Sequence, residues 1–234
     1  MIAKIHRIPL GIGNSYIVKE QGTIMIDSGE PKKCKAFLKG LSKAAIAPEE
    51  IQLMILTHGH YDHIGSAAEI KALTGAKVAL HKNEKHWLEE GLKPFPPGAT
   101  TWGKIFAKIT CWTMVPFVHI RPTKVDIVLG EEELALNEYG ISGKIVYTPG
   151  HSSGSVSILL DSGDAFVGDM AMNMFPLRLS PGTAIYAEDQ KLMFSNWQIL
   201  LDQNVKTIYP AHGKPFPADI IREELAQKVQ GVAV

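Results

Sequence analysis

QLMILTHGHYDHIG, residues 52–65, runs an apolar segment straight into four metal-capable side chains. Residues 52–57 read as a buried strand. The stretch DHIGSAAEIKALTG that follows reads as one helix, with Ile64, Ala67, Ala68, Ile70 and Leu73 largely on one face and a stop at Gly75. At the junction His58, His60, Asp62 and His63 fall within six residues. With 9 His and 9 Asp in 234 residues, composition alone gives this pattern in roughly one chain in two thousand, so chance is a poor explanation. Imidazole and carboxylate are the nitrogen and oxygen ligands of zinc and related divalent ions, and a strand-to-helix turn is rigid enough to hold several together. Residues two apart on an extended turn can aim at one ion. The next two, entering the helix, aim past it.

One turn supplies too few ligands for two ions, and the rest of the chain offers more at matching places. His151 follows KIVYTPG, Asp169 ends DAFVGD and His212 sits in TIYPAHG, each at the end of a strand-like run beside glycine. Asp27, in TIMIDSG, stands in the same kind of position. Around these points the chain alternates. AKIHRI, NSYIVKE and GTIMID read as antiparallel strands, KKCKAFLKGL as a helix, AKVAL as a strand and HKNEKHWLEEG as a second helix. The strands VDIVL, ELAL, KIVYT, VSILL and DAFVGD follow, then a helix over about 188–202, the strand TIYPA and a helix over about 218–229. Strands, helices, strands and helices again imply two similar halves whose sheets pack face to face with helices outside. No Pro/Gly/Ser linker divides the chain, so 1–234 is expected to be a single domain; residues 94–124 break the alternation and read as a lid-like insertion.

THGHYDHIG, TPGHSSGS, FVGD and YPAHG resemble the ordered motifs of the metallo-β-lactamase superfamily, over a span from about Asp27 to His212. The resemblance implies an α/β (α+β) fold, an αββα four-layer sandwich of two packed mixed β-sheets with helices on both outer faces. It implies that His58, His60 and His151 hold one metal, that Asp62, His63 and His212 hold the other, and that Asp169 bridges them. Asp27 is similar to the aspartate that supports the ligand loop. Two divalent ions are expected, zinc first, with iron and manganese also accepted by these ligands. Against their four positive charges Asp62 and Asp169 return two negative, leaving a pocket of about +2 that favours a bridging hydroxide at neutral pH. The expected reaction is metal-dependent hydrolysis, in which that hydroxide attacks an ester, thioester, lactone or phosphodiester of a small molecule. Asp62 is also the expected catalytic residue, orienting the hydroxide or carrying a proton.

Departures from the family pattern narrow the substrate. Zinc β-lactamases of the best-known class carry Cys where this chain has Asp169, so a native β-lactamase is not expected. The segment after His212 is shorter than the helical glutathione-binding domain of typical glyoxalase II, which disfavours hydroxyacyl-glutathione. Quorum-quenching lactonases usually place Tyr where this chain has Met172. Two other classes stay open: a mononuclear iron enzyme similar to persulfide dioxygenase, using residues matching His58, His151 and Asp169, and a non-catalytic metal-containing ligand sensor.

Composition limits the partners. Lys+Arg and Asp+Glu both number 24, so zero net charge offers no broad footprint for nucleic acid. Cys34 and Cys111 have no CxxC partner and read as reduced thiols; with no signal-peptide pattern, a cytoplasmic location is expected. In TTWGKIFAKITCWTMVPF, Trp102, Ile105, Phe106, Ile109 and Trp112 recur at helical spacing. This stripe reads first as a lid or pocket wall, next as a homodimer contact; membrane contact ranks last and is not expected. Trp102, Phe106, Arg178 and Tyr186 are candidate substrate-pocket residues, Arg178 as a partner for a carboxylate or phosphate. Thr57 and Ser152 flank metal ligands, where they would either orient imidazoles or stabilise turns.

Overall fold

A computed structural model describes residues 3–113 and 115–231. The first half holds strands β1 (Lys4–Pro9), β2 (Asn14–Lys19), β3 (Thr23–Ile26), β4 (Ile51–Ile55), β5 (Lys77–His81) and β6 (Ile127–Leu129). Among them lie helices α1 (Cys34–Ala44), α2 (Tyr61–Ile64), α3 (Ala67–Thr74), α4 (Lys85–Glu90) and α5 (Thr101–Thr113). The second half runs β7 (Leu134–Ala135), β8 (Gly143–Tyr147), β9 (Val156–Leu160), β10 (Asp164–Phe166), β11 (Ala171–Asn173), β12 (Gly182–Thr183), α6 (Gln190–Asp202), β13 (Thr207–Tyr209), β14 (His212–Gly213), β15 (Phe216–Pro217) and α7 (Asp219–Gly231).

The first sheet is mixed, in the order β1-β2-β3-β4-β5-β6: the early hairpins are antiparallel, and β3 to β6 are parallel. The second has the order β15-β13-β10-β9-β8-β7, with β10 and β13 parallel and the other pairs antiparallel. A strand sends successive side chains to opposite faces, and here both faces are apolar. Tyr16, Val18, Ile24, Ile26, Leu53 and Ile55 point to the inter-sheet core, where they meet Val156, Ile158, Leu160 and Phe166. Their neighbours Ile17, Met25 and Met54 point the other way, onto Phe37 and Leu41 of α1 and Ile70 of α3. On the far side Leu159, Ala165 and Ile208 pack against Trp197 and Leu200 of α6 and Ile221 of α7. The result is the αββα sandwich of two mixed sheets.

Three local expectations change. The helix read over 62–75 is two, because the Gly65 N–H donates out of the helix to the Gly29 carbonyl (2.9 Å), and Ser66 leaves helical geometry to bond Glu30 O and the Lys33 N–H. Leu73 is exposed rather than on the buried face. His81 ends β5 and α4 begins only at Lys85. Helix α6 starts where its sequence suggests, with the Asp189 carboxylate capping the Leu192 N–H at 3.0 Å. Cys34 is a free thiol; the Cys111 side chain lies outside the described residues. No helix among the described residues is long and apolar enough to cross a membrane.

Trp197 is fully buried and its indole N–H donates to the Met170 carbonyl at 3.1 Å, tying α6 to the loop that carries Asp169. Trp197→Ala is expected to lower the unfolding free energy by about 3–5 kcal/mol, read as a fall in the urea midpoint at unchanged slope.

Candidate metal centre

The seven expected ligands converge. His58 and His60 lie on the turn leaving β4, Asp62 and His63 in the first turn of α2, His151 before β9, Asp169 just past β10 and His212 in β14. All seven are buried. The ring nitrogens of His58, His60 and His151 form one group, with ligand atoms within 4.8 Å of one another, and Asp62, His63 and His212 form a second. Asp169 faces both. Its Oδ1 lies 3.2 Å from His212 Nε2 and 3.5 Å from His63 Nε2, while Oδ2 lies 3.7 Å from His151 Nε2.

Outer partners fix which nitrogen of each ring turns inward. A backbone carbonyl only accepts, so His151 Nδ1, 3.0 Å from Tyr186 O, and His212 Nδ1, 3.1 Å from Ile12 O, carry the protons there. Their Nε2 atoms are left for the centre. His63 Nδ1 lies 3.0 Å from Asp27 Oδ2. Three buried atoms at the middle, His58 Nε2, His63 Nε2 and Asp169 Oδ1, have no hydrogen-bond partner. Orphaned buried polar atoms are costly, and their convergence fits a cation between them.

Charge within the cluster divides unevenly. Burial drives the pKa values of His58 and His60 well below the ordinary imidazole value, and neighbouring imidazoles lower them further. Burial lowers His151 as well. Burial also opposes charge on His212, but the Asp169 and Asp62 carboxylates outweigh it and push its pKa up to about 10. His63 is raised well above its usual range against the same burial penalty, by Asp169, Asp27 and Asp62. The same pairs hold Asp169 well below, and Asp62 below, the carboxylate range despite burial. By themselves, then, the seven groups balance two carboxylates against two imidazoliums, leaving three neutral rings.

The supporting residues are equally specific. Asp27 has φ +57°, a left-handed conformation that Asp tolerates better than most residues, and its Oδ1 accepts from the Thr57 N–H (2.7 Å) while the Thr57 hydroxyl bonds both carboxylate oxygens. Thr57 Oγ1 also lies 3.1 Å from His58 Nδ1. Gly168 must be glycine, since at φ +52° a Cβ would stand 2.6 Å from that same Oγ1. Ser152 does not reach an imidazole; its hydroxyl pairs with Ser155 Oγ at 2.8 Å and braces the turn.

Sequence reasoning missed Glu84. Fully buried, it accepts from the Gly59 N–H at 2.5 Å and the Gly154 N–H at 2.7 Å, clasping the loop of His58 and His60 to the loop of His151. Burial raises its pKa, and these hydrogen bonds with one from Ser152 counter the rise. Its setting in the charged run HKNEKH gives no pattern by which to find it.

A cavity of about 220 Å³ opens onto the cluster, touching His60, Asp62, Asp169 and His212. Its walls are Ile12, Phe95, Met172, Met174, Leu177 and Tyr186, with Phe106 and Thr110 of α5. Of the four expected pocket residues Phe106 and Tyr186 line it. Trp102 does not: it is exposed, with its ring against Phe106 at 5.0 Å and its N–H 3.4 Å from Pro176 O. Arg178 is drawn away by stronger local partners, donating to Thr183 O (2.6 Å) and Ser180 O (2.9 Å) and lying 3.6 Å from Glu224. Residues 94–124 join the loop after Asp169 through hydrogen bonds from Ala99 N to Ile185 O (2.8 Å) and from Ala187 N to Pro97 O (3.1 Å).

Residues 8–212 match the model of the metallo-beta-lactamase superfamily. The chain belongs to this superfamily. Among its relatives is the probable metallo-hydrolase YqgX of Bacillus subtilis, 30% identical over 175 residues that cover 71% of each protein. The superfamily fold is shared with the crystal structure of ST1585 from Sulfolobus tokodaii, at TM-score 0.67 and 24% identity over 98% of this chain and 87% of that one. It is shared too with BJP-1, a subclass B3 metallo-beta-lactamase of Bradyrhizobium japonicum, at TM-score 0.64 and 20% identity over 99% of this chain and 91% of that one.

Two measurements probe this superfamily site. With His63 and His212 raised by their carboxylate neighbours, a cation must displace their protons, so loading metal-free protein with zinc at pH 7 is expected to release about two protons per chain, and about three where a bound water also ionises; affinity should rise with pH. Calorimetry in buffers of different ionisation enthalpy reads both. Glu84→Ala leaves two buried N–H groups unpaired and is expected to weaken zinc binding by about 10–100-fold, measured by chelator competition.

Proposed function

We propose that the protein is a metal-dependent hydrolase with a dinuclear centre, acting on a neutral small molecule through an ester, thioester or lactone carbonyl attached to an apolar arm. The observation that carries the metal reading is the convergence of buried imidazole and carboxylate atoms in three overlapping groups, among which His58 Nε2, His63 Nε2 and Asp169 Oδ1 make no hydrogen bond. His58, His60 and His151 would hold one ion, Asp62, His63 and His212 the other, with Asp169 common to both. Zinc is the first choice. Bound there, such ions supply Lewis acidity that lowers the pKa of water from 15.7 to about 7 and polarises the attacked carbonyl oxygen.

The chain's own groups do the rest. Asp62 lines the cavity, where its carboxylate can accept a hydrogen bond from a nucleophilic water and orient it. Asp27, Thr57 and Glu84 fix the ligand loops before substrate arrives, which limits reorganisation during the reaction. Phe95, Phe106, Met172 and Leu177 exclude water and bury an apolar arm beside the cluster. Apart from the cluster itself, no charged side chain lines the cavity among the described residues, so a free carboxylate or phosphate on the substrate would find no protein cation. This disfavours substrates with a second anionic group away from the reacting centre. The 94–124 segment would serve as the lid, since α5 supplies Phe106 and Thr110 to the cavity wall. Asp169 in place of a cysteine argues against a native β-lactamase. The expected setting is the cytoplasm, where Cys34 stays reduced.

Elemental analysis of protein purified without added metal is expected to give two divalent ions per chain, with turnover of apolar esters, thioesters or lactones. Asp169→Asn should lower kcat/KM by at least about a hundredfold and reduce metal content. One iron per chain with thiol-dependent oxygen consumption, or efficient turnover of β-lactams, would overturn the reading.

A further inference from the structure

The cavity wall continues outward into an apolar surface. On α5, Phe106 and Thr110 face the cavity, while Trp102, Ile105, Ile109 and Trp112 follow one another at steps of three, four and three residues along an adjoining, exposed stripe. Trp112 keeps 84% of its surface in contact with solvent, and Phe117, in the turn that follows, keeps 83%. Trp102 joins this stripe to the cavity rim through its contacts with Phe106 and Pro176, next to exposed Phe175. Large exposed apolar patches of this kind mark interaction sites.

Charge indicates what covers it. Although the whole chain is neutral, residues 91–125 contain Lys93, Lys104, Lys108, Arg121 and Lys124 and no Asp or Glu. Lys104 and Lys108 are exposed on the flank of α5 beside the stripe; Arg121 is exposed, and Lys124 lies by Glu89 and Asp126, which with Glu90 flank this segment. Lys93 instead bonds the Pro116 and Val118 carbonyls, both at 3.0 Å. The acid facing the groove by Phe117 is Glu30, neutralised by Lys33 at 2.9 Å.

We propose that this face docks on an anionic phospholipid bilayer, Trp112 and Phe117 entering the boundary between headgroups and acyl chains while Lys104 and Lys108 meet lipid phosphates. A helix with aromatic and aliphatic residues on one side and lysines on its flank is the pattern of elements that lie in a membrane interface, where tryptophan is favoured. Two copies meeting through the same face would set lysines against lysines with no acid between them. Lipid ranks last when only the spacing is known; the outward exposure of Trp112 and Phe117 reverses that order. Docking would turn the cavity mouth towards the source of apolar substrates. That consequence rests on the hydrolase reading, whereas docking itself does not.

The test uses the full, metal-loaded chain with vesicles of phosphatidylglycerol mixed into phosphatidylcholine, against phosphatidylcholine alone. Cosedimentation with the anionic vesicles, a blue shift of tryptophan emission and loss of binding on adding salt are expected. Trp112→Ala with Phe117→Ala should weaken the partition about tenfold or more at unchanged metal content. Lys104→Glu with Lys108→Glu should remove the preference for anionic vesicles. No sedimentation, equal binding to both vesicles, or a concentration-dependent dimer lost in the Trp112/Phe117 variant without vesicle binding would each overturn the proposal. Vesicle binding without hydrolysis of any ester, thioester or lactone would sink the hydrolase reading and leave the docking face standing.

Discussion

Five imidazoles and two carboxylates packed where water barely reaches cannot satisfy one another. Two carboxylates can pair with two protonated rings, and the Asp62, Asp169, His63 and His212 geometry does so at 3.2–3.9 Å. His58, His60 and His151 are left neutral: His60 Nδ1 donates to His151 Nε2 at 3.1 Å, and His58 Nε2 makes no hydrogen bond at all. Such a set is stable in a fold only if something else repays its burial. A cation does so by accepting several lone pairs at once, which is why the same arrangement that is costly as protein alone becomes a tight site.

That requirement explains the scaffolding around the centre. Rings that must present one nitrogen inward need a partner for the other, and Tyr186 O, Ile12 O and Asp27 supply it from three separate parts of the chain. The loops must also stay in register with one another, though they leave different sheets. Asp27 holds the β3 end to the β4 end through Thr57, and Glu84 holds the β4 loop to the turn before β9. Both ties use a carboxylate accepting backbone N–H groups, a charge-assisted bond that is strong in a dry interior. The two-sheet core beneath provides the rigidity these ties assume.

How much of this could be read beforehand depended on how local each signal was. The seven clustering residues were legible because imidazoles at strand ends beside glycine are rare, and the strands because both faces are apolar in runs such as YIV and TIMI. Asp27 was legible by its place at the end of such a run. The break after α2 was not, because it comes from Gly65 and Ser66 bonding the distant 29–33 loop, which no local pattern encodes. Glu84 was hidden for the same reason: its partners Gly59 and Gly154 lie 25 and 70 positions away. Arg178 was misread because a cation near the site looks like a substrate anchor until its nearer acceptors, Thr183 O and Ser180 O, are known.

The placement of the cluster and of the 94–124 segment follows from the topology. Ligands placed at strand ends are fixed by the sheets, so the chemistry they support changes little when loops change. Between β5 and β6 the chain is free to lengthen, because closing a longer surface loop costs only about 0.6 kcal/mol per doubling. The 94–124 segment uses that freedom to lay α5 beside the cluster, where Phe106 turns inwards and Trp112 outwards on one helix. A single element then sets both what fits next to the carboxylates and what surface the cavity mouth can approach. In the proposed hydrolase, substrate choice would therefore be carried by residues that no metal-binding pattern constrains.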